Sequence, residues 1–376
     1  MIAYYVHHQG SGHVHRATAI ARALRTPVIG LSSRPMPAGW PGEWVVLPPD
    51  DSVDATGDPT DVTAGGVLHW APLHHTGLRD RMAAIGAVLA RDDVRLLVAD
   101  VSVEVGLLAR LHGVPVAILA QPGDRTDRPH RLAYDLAAAL LAPWPERPSD
   151  WPDEWRAKTV HLGGISRFDG RPPVAPEPGR VLVLWGGGGL DVDDAQVRAA
   201  AAATPDRAWE VAGAPAGTAD DPPNLHRLGW LADPAPTADP HSRAPRAGDS
   251  VWAALSRAAV VVTHAGQNAL AEVAAARRPA VVVPQDRPHS EQRATAEALD
   301  RAGLAAVAPH WPAGPEWPAL LARAERIGGS GWVAWSTGDG ARRAAAELDA
   351  LAAPRPDVLV GLGPDSPSLA GHGARA

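Results

Sequence analysis

The most informative segment of the sequence is Thr263-His264-Ala265-Gly266-Gln267-Asn268-Ala269-Leu270-Ala271-Glu272. It begins at the end of a β-branched run, 259–263, and leads into an alanine-rich run, 268–277. A short strand that ends in a glycine turn and opens a helix is the repeating unit of a parallel α/β sheet. We predict a strand, a tight turn and a helix here, with Asn268 as the N-cap of the helix.

The start of this predicted helix is suited to binding an anion. Its first N–H groups have no acceptor within the helix, and the helix dipole adds a partial positive charge. His264 can donate a hydrogen bond to a phosphate, and Glu272 can accept hydrogen bonds from both hydroxyls of a ribose. Any doubly wound fold contains a capped β–α turn, but this combination of residues favours a nucleotide site.

Both halves of the chain repeat the alternation of short apolar runs with longer alanine-rich runs. The predicted strands are 2–6, 95–100, 114–120, 180–185, 259–263 and 280–283, and the predicted helices are 14–24, 103–111, 194–203, 268–277 and 291–302. This pattern indicates an α/β protein with two doubly wound, Rossmann-like parallel sheets. A length of 376 residues agrees with two domains at about 150 residues each.

Composition sets the domain boundaries and excludes several chemistries. The proline-rich run 171–179 is typical of a stiff linker, so we predict domains at 1–172 and 178–350, a surface loop near 232–249 and a flexible tail at 351–376. The chain has no cysteine, which excludes disulfides and thiolate chemistry. A net charge of −7 gives no reason to expect a nucleic-acid partner.

The chain also lacks the patterns of export and membrane insertion. Its apolar runs are far shorter than the ~20 residues that span a bilayer, and no signal-peptide pattern opens the sequence. We therefore expect a cytoplasmic protein, one that can still contact the inner membrane face peripherally.

A glycine-rich loop follows the first predicted strand. It reads His7-His8-Gln9-Gly10-Ser11-Gly12-His13-Val14-His15-Arg16. It is not the dinucleotide-binding fingerprint, because His15 stands where the third glycine would be. A histidine at a helix entrance that faces a cleft suits a general base, since its pKa lies near neutral pH. We predict His13 as that base, and the alternative is a histidine that caps its own helix.

A carboxylate partner can orient this histidine. Asp100 ends the predicted strand 95–100, and the carboxyl ends of parallel strands meet at one edge of a sheet. Glu104 is the substitute if Asp100 points elsewhere.

Two further segments carry polar groups at predicted strand ends. Pro284-Gln285-Asp286-Arg287-Pro288-His289-Ser290-Glu291-Gln292 places a carboxylate beside an amide, a pair that can hold neighbouring sugar hydroxyls. Read alone, Ser290 and Glu291 are an N-cap and a first-turn acid. The four glycines 186–189 let backbone approach a ligand closely. Asp191 and Asp193 beside them are interpreted as helix N-terminal charge rather than metal ligands.

Histidines, arginines and a tryptophan cluster in the segment 68–81. Its polar and aromatic residues are His69, Trp70, His74, His75, Arg79 and Arg81. A metal site is conceivable, but no helical His-x-x-x-His pair and no carboxylate completes one, so we expect no metal. Acceptor binding, contact with a membrane surface and an ordinary packed loop all remain open.

Taken together, these motifs resemble the GT-B superfamily of nucleotide-sugar glycosyltransferases. His264-x-Gly266-x-Asn268-Ala269-x-x-Glu272, followed by Pro284 and Glu291-Gln292, is similar to the donor-binding signature of inverting UDP-sugar transferases with a family 28 C-terminal domain. Gly10-Ser11-Gly12-His13-x-x-Arg16 resembles the loop of peptidoglycan N-acetylglucosaminyltransferases and of a UDP-sugar hydrolase. The sequence departs from the signature at Thr295-Ala296, where Asn-Ala is usual.

The resemblance implies a GT-B fold whose C-terminal domain binds the UDP-sugar and whose N-terminal domain binds the acceptor across a cleft, without a metal or other cofactor. The donor-site residues would be Gly12, Gly187, Gly188, Trp230, His264, Gly266, Gln267, Asn268, Ala269, Glu272, Asp286, Glu291 and Gln292. Among them the backbone of 266–269 and His264 would hold the diphosphate, Glu272 the ribose, the loop at Trp230 the uracil, and Glu291 and Gln292 the sugar. Arg16, His75 and Gln121 would lie on the acceptor side, and His13 with Asp100 would be catalytic.

The function that we expect is inverting transfer of a hexose or N-acetylhexosamine from a UDP-sugar. The acceptor hydroxyl would belong to a small molecule, a lipid-linked molecule or a glycan. Three alternatives stay open: a nucleotide-sugar hydrolase, a UDP-sugar 2-epimerase, and a binding module without turnover.

Overall fold

A computed structural model describes residues 1–50, 61–185, 191–213, 220–229, 231 and 249–354. The described part contains two parallel β-sheets, each flanked by helices. The predicted fold class, an α/β protein with two doubly wound sheets, is confirmed.

The first sheet has seven strands. They are β1 (Ile2–Val6), β2 (Val28–Ser32), β3 (Glu43–Val46), β4 (Leu96–Asp100), β5 (Val116–Leu119), β6 (Ala139–Ala142) and β7 (Thr159–His161), in the order β3-β2-β1-β4-β5-β6-β7. Every neighbouring pair is parallel. The accompanying helices are α1 (Gly12–Ala23), α2 (Thr76–Leu89), α3 (Val103–Leu111), α4 (Arg128–Leu136) and α5 (Asp153–Ala157).

The second sheet has six strands. They are β8 (Arg180–Leu184), β9 (Ala208–Ala212), β10 (Leu225–Gly229), β11 (Val260–Thr263), β12 (Ala280–Val282) and β13 (Ala306–Val307), in the order β10-β9-β8-β11-β12-β13 and again parallel. Its helices are α6 (Asp194–Ala202), α7 (Asp249–Arg257), α8 (Gln267–Ala276), α9 (Glu291–Arg301), α10 (Trp317–Ile327) and α11 (Gly340–Ala352). Short 3₁₀ helices lie at Pro288–Ser290, Gly314–Glu316 and Ser330–Ala334.

Helices cover both faces of each sheet, so the central strands are buried on both sides. All residues of β1, β4 and β11 are buried, and apart from Asp100 and Thr263 at the carboxyl ends these strands are apolar, as is usual where both faces are covered. The structure contains every strand and helix predicted from the sequence, with ends within two residues of the predicted ones. No helix in the described ranges has the length and apolar character needed to cross a bilayer.

In each sheet the order of the strands reverses at one point, and these two points face each other across the two halves of the chain. β1 lies between β2 and β4, and β8 lies between β9 and β11. Ligands of open α/β sheets bind beyond the carboxyl ends of the strands at such points. The glycine-rich loop before α1 and Asp100 lie at the first reversal, and the turn before α8 lies at the second.

The last helix does not follow the predicted boundaries. Although most of α11 lies within the range 178–350 assigned to the second domain, its buried Ala344 and Leu348 pack with Ile20 of α1 in the core of the first domain. The Asp349 carboxylate accepts hydrogen bonds from the backbone N–H groups of Arg25 and Thr26 at 3.1 and 2.9 Å. The chain thus returns to the first sheet, and residues 351 and 352 are helical rather than part of a tail.

Candidate active site

A cleft of about 490 Å³ lies between the two sheets. Residues of both halves line it, including Gly12, His13, Arg16, Gln121, His264, Gly266, Gln267, Asn268, Ala269, Glu272, Glu291 and Gln292. Two helices point their N-termini at it, and neither Ser11 before α1 nor Gly266 before α8 makes a side-chain capping hydrogen bond. Free N–H groups and two positive dipole ends therefore face the cleft, which suits an anionic ligand.

His13, Asp100 and Arg16 form a hydrogen-bonded group on the first domain's side. Asp100 is fully buried, and its Oδ1 lies 3.0 Å from His13 Nδ1 and 2.7 Å from Arg16 Nη2. Burial raises the pKa of Asp100, but the Arg16 charge, the His13 charge and the two hydrogen bonds outweigh it and lower that pKa to about 2. The predicted contact between Asp100 and His13 is confirmed.

The ionised Asp100 determines which nitrogen of His13 can act on a substrate. Two groups contact His13 Nδ1: Asp100 Oδ1 at 3.0 Å and, further away, Arg16 Nη2 at 3.2 Å. The carboxylate is the nearer of the two and only accepts hydrogen bonds, so we assign the proton to His13 Nδ1. The lone pair of Nε2 is then left for the cleft, and the His13 side chain is 25% exposed there. Glu104, the substitute partner, is engaged elsewhere, because its carboxylate accepts from the backbone N–H groups of His69 and Trp70.

On the second domain's side, His264 shapes the turn before α8. Its Nδ1 accepts a hydrogen bond from the Gly266 backbone N–H at 2.9 Å. The proton of the neutral ring therefore lies on Nε2, from which it can be donated to a ligand. Burial and the Arg287 charge lower the pKa of His264 to about 4, although a hydrogen bond with Gln292 opposes this shift.

The N-cap prediction at this turn is wrong. The helix begins one residue earlier than predicted, and Gly266 rather than Asn268 is its N-cap residue. The Asn268 side chain instead contacts the other domain: a Cβ added to Gly12 would lie 1.6 Å from Asn268 Nδ2. Arg16 Nη1 donates to Gln267 Oε1 at 2.6 Å in the same region. Two glycine-bearing turns thus meet across the cleft, and Gly12 is required for their close approach.

Gln292 holds two loops in place. Its buried Oε1 accepts from the backbone N–H groups of Ala265 and Gln285, at 3.1 and 3.0 Å. One side chain therefore fixes the turn before α8 against the segment that follows β12. Gln292 lines the cleft, but its oxygen positions the backbone instead of facing a ligand.

Two arginines outside the predicted donor site pair with predicted donor-site carboxylates. Arg167 Nε lies 2.9 Å from Glu272 Oε1, and Arg125 Nη2 lies 3.0 Å from Glu291 Oε2. Both arginines belong to the first half of the chain and both carboxylates to the second. Arg167 lines the cleft, and it belongs to no sequence motif that could have identified it.

Several buried polar atoms at the cleft have no hydrogen-bond partner among the described residues. They are Asp100 Oδ2, Gln267 Nε2 and Trp185 Nε1. Buried polar atoms are nearly always satisfied in folded proteins. Trp185 and Gln267 line the cleft and Asp100 lies behind His13, which indicates that a ligand or water completes the site.

Other predicted residues lie elsewhere. The Asp286 side chain is exposed, pairs with Arg293 and does not line the cleft. His75 is the N-cap of α2, where its Nδ1 accepts from the Leu78 backbone N–H at 3.0 Å, and it is likewise outside the cleft lining. Asp193 caps α6 by a reciprocal bond with Gln196, which confirms the helix-terminal interpretation. Gly187, Gly188 and Trp230 lie outside the described residues.

Comparison with known proteins agrees with this geometry. Residues 248–313, from α7 to just beyond β13, match the glycosyltransferase family 28 C-terminal domain. The chain is 32% identical over 349 residues to a UDP-N-acetylglucosamine--N-acetylmuramyl-(pentapeptide) pyrophosphoryl-undecaprenol N-acetylglucosamine transferase of Sorangium cellulosum, covering 82% of this chain and 80% of that protein.

Solved structures share the fold. A glycosyltransferase of kitacinnamycin aligns with a TM-score of 0.60 at 17% identity, covering 93% of this chain and 98% of that one. MurG of Acinetobacter baumannii aligns with a TM-score of 0.54 at 17% identity, over 93% and 98%. At these identities the likeness concerns the fold alone.

Fold and site together define a glycosyltransferase of the GT-B class, with its cleft between two Rossmann-like domains. Within that class, the chain belongs to the UDP-sugar glycosyltransferases that carry a family 28 C-terminal domain. The predicted enzyme class is confirmed, and none of these comparisons supports the hydrolase and epimerase alternatives.

Proposed function

We propose that this enzyme transfers an N-acetylhexosamine from its UDP-sugar to a hydroxyl of a lipid-linked acceptor, with inversion at the anomeric carbon. The activity of the Sorangium cellulosum relative supports the choice of sugar and acceptor. The observation that carries the proposed chemistry is the position of His13. It is held by an ionised carboxylate on one wall of the cleft, opposite the N-terminus of α8 on the other.

The second domain would hold the donor. The diphosphate would accept hydrogen bonds from the first N–H groups of α8 and from His264 Nε2. Because the neutral His264 donates from Nε2 alone, it would bind phosphate without needing a charge of its own. Glu272 would accept from the ribose hydroxyls, with Arg167 holding the carboxylate in place at 2.9 Å.

The first domain would activate the acceptor. His13 Nε2 would take the hydroxyl proton as the acceptor oxygen bonds to the anomeric carbon and the bond from that carbon to the UDP oxygen breaks. The Asp100 carboxylate stabilises the imidazolium that forms. The new charge on UDP is stabilised at the α8 N-terminus, which contributes roughly 0.3–2 kcal/mol. Positioning of the two substrates by the cleft supplies the larger part of the reduction in the activation free energy.

Exposed apolar side chains support a lipid-linked acceptor. Trp70 and Leu73 are 39% and 52% exposed on the segment that precedes α2. Both belong to the acceptor-binding half of the chain. We assign this segment to contact with the lipid part of the acceptor or with the membrane surface in which it is embedded.

The test is turnover of UDP-N-acetylglucosamine with a lipid-linked saccharide acceptor, measured as UDP release and as glycosylated product. His13→Ala is expected to lose about 10²–10⁴-fold in kcat while binding UDP with unchanged affinity in calorimetry. His226→Ala, which removes an exposed imidazole on β10 outside the cleft lining, serves as the control and retains most of the turnover. Release of free sugar without acceptor would instead identify a hydrolase, and wild-type turnover by His13→Ala would exclude His13 as the base.

A further inference from the structure

Three histidines and one aspartate meet at the boundary between the two domains, beside the active-site cleft. They are His69, Asp127, His130 and His289, and each offers one ligand atom such that all four atoms lie within 4.8 Å of one another. The sequence prediction found no carboxylate to complete a metal site around His69. The structure supplies one, because Asp127 lies 58 residues further along the chain but next to His69.

The aspartate connects two of the histidines directly. Asp127 Oδ2 lies 3.1 Å from His69 Nε2, and Asp127 Oδ1 lies 2.5 Å from His130 Nδ1. The His289 ring lies 4.8 Å from the His130 ring and 6.1 Å from the His69 ring, measured between centroids. His130 is buried, Asp127 and His289 are half-buried, and His69 is exposed, so the cluster opens to solvent on one side.

The two domains contribute unequally to this cluster. His69 precedes α2, and Asp127 and His130 lie at the start of α4, all in the first domain. His289 belongs to the 3₁₀ turn before α9 in the second domain. Any ion held by all four residues would therefore tie the domains together.

We propose that His69, Asp127, His130 and His289 bind a divalent transition-metal ion, with Zn²⁺ as the preferred one. Three imidazoles and one carboxylate are a tetrahedral nitrogen and oxygen set, which Zn²⁺ favours at about 2.0–2.2 Å from each ligand. Tetrahedral ligand atoms at that distance lie about 3.4 Å apart. Side-chain rotations that bring the four atoms together by an ångström or so complete the site. Mg²⁺, which requires octahedral oxygen ligands, is a poor fit.

The charged side chains around this cluster are compatible with a bound cation. Arg125 brings a fixed positive charge close to the cluster, with Nη1 at 3.4 Å from His130 Nε2. Its other Nη donates to Glu291 Oε2, and this ion pair offsets its charge. The Asp127 carboxylate then remains as the negative ligand of the site.

The role of this ion is to fix the active-site loop rather than to take part in the transfer. His289 stands two residues before Glu291, which lines the cleft. Both His289 and Ser290 have positive φ angles, 60° and 53°, a conformation that non-glycine residues rarely adopt and that needs support from its surroundings. The His289 carbonyl already accepts from the Asp124 backbone N–H at 2.9 Å. A metal bond to its ring would lock this turn to the first domain.

The direct test is Zn²⁺ binding to the full chain without a histidine tag. After chelation and dialysis, calorimetry is expected to give one tight Zn²⁺ site per chain, which Co²⁺ fills with a tetrahedral visible spectrum and Mg²⁺ does not fill. His69→Ala and His289→Ala are each expected to weaken Zn²⁺ binding by about tenfold or more. His69 and His289 are not fully buried, so both variants should fold. His226→Ala, at an exposed histidine on β10, is the matched control and binds as wild type.

A second readout addresses the interdomain role. Zn²⁺ should slow hydrogen exchange of the segment 286–292 in the wild type but not in His289→Ala. No stoichiometric Zn²⁺ binding, or equal affinity in all three variants and the wild type, would overturn the site. Zn²⁺ binding without protection of 286–292 would overturn the connection between the domains.

Discussion

The buried Asp100 carboxylate offers the sharpest test of the catalytic arrangement. Asp100→Asn keeps the shape of the side chain but removes its charge. Asp100 then no longer neutralises Arg16, whose side chain is 2% exposed, and no longer holds the proton on His13 Nδ1. The perturbation therefore separates two effects, one on stability and one on turnover.

The size of the stability effect follows from the pKa. Folding lowers the pKa of Asp100 from 3.8 to about 2, because Arg16 and His13 outweigh the cost of burial. The ionised carboxylate thus stabilises the folded state by about 2 kcal/mol at pH values above about 4. This contribution is lost as the pH falls from about 4 to about 2. Leaving Arg16 without its buried partner raises the loss in Asp100→Asn to about 3–5 kcal/mol.

The kcat of Asp100→Asn should fall by more than the loss of folded protein explains. Without the carboxylate, His13 can adopt the tautomer that carries its proton on Nε2, which cannot act as a base. We expect kcat of Asp100→Asn to fall by about 10²–10⁴-fold, while UDP affinity changes little because Asp100 lies in the other domain from α8.

The assays are urea unfolding at pH 7, UDP release at saturating substrates and UDP calorimetry. Asp93→Asn is the matched control, since Asp93 is an exposed carboxylate of the same domain paired with Arg91. Such surface pairs contribute about 0–1 kcal/mol. A folded Asp100→Asn protein with kcat within about threefold of wild type would refute the orienting role of Asp100.

Three further predictions concern the second domain and the contact between the domains. Gly12→Ala should raise the donor KM in steady-state kinetics, because the new Cβ would lie 1.6 Å from Asn268 Nδ2. Adding Asn268→Ala, whose Cβ would lie 3.4 Å from that of Ala at position 12, should restore part of the loss. If the double variant shows no rescue, the contact between these two residues is contradicted. Burial lowers the pKa of His264 from 6.5 to about 4, so between these pH values the unfolded state binds a proton that the folded state does not. Its contribution to the free energy of unfolding should fall by about 1.4 kcal/mol per pH unit on acidification, and urea unfolding at pH 7, 6 and 5 should show a shallower decline in His264→Gln. In thermal-shift measurements UDP should stabilise the protein more than ADP, GDP or TDP at equal concentration, and a preference for TDP would move the donor to another nucleotide class.

We could predict the turn before α8 from the sequence because its features are local. A β-branched strand, a glycine turn and a helix start lie within ten residues of one another, and each can be read from residue types. The error at Asn268 has a physical cause. Its side chain faces Gly12 of the other domain instead of capping α8.

The charge pairs of the cleft could not be predicted in the same way. Arg167 and Glu272 are 105 residues apart, and Arg125 and Glu291 are 166 apart. Arginine and glutamate are common on protein surfaces, so neither residue type nor spacing marks these pairs. The same holds for Asp286 and His75, whose positions in the sequence fit a ligand site while their side chains face Arg293 and the α2 backbone.

Residue types along the chain were enough to predict six of the thirteen described strands, five of the eleven described α-helices, the class of fold and the two glycine-bearing turns, because hydrophobic periodicity and turn chemistry act over a few residues. Only the folded structure shows that His13 faces α8 across the cleft, that α11 returns to the first sheet, and that four residues from 69 to 289 gather beside the cleft. These contacts depend on how two separately built sheets pack against each other. That packing is a sum over many distant side chains, and no short segment contains it.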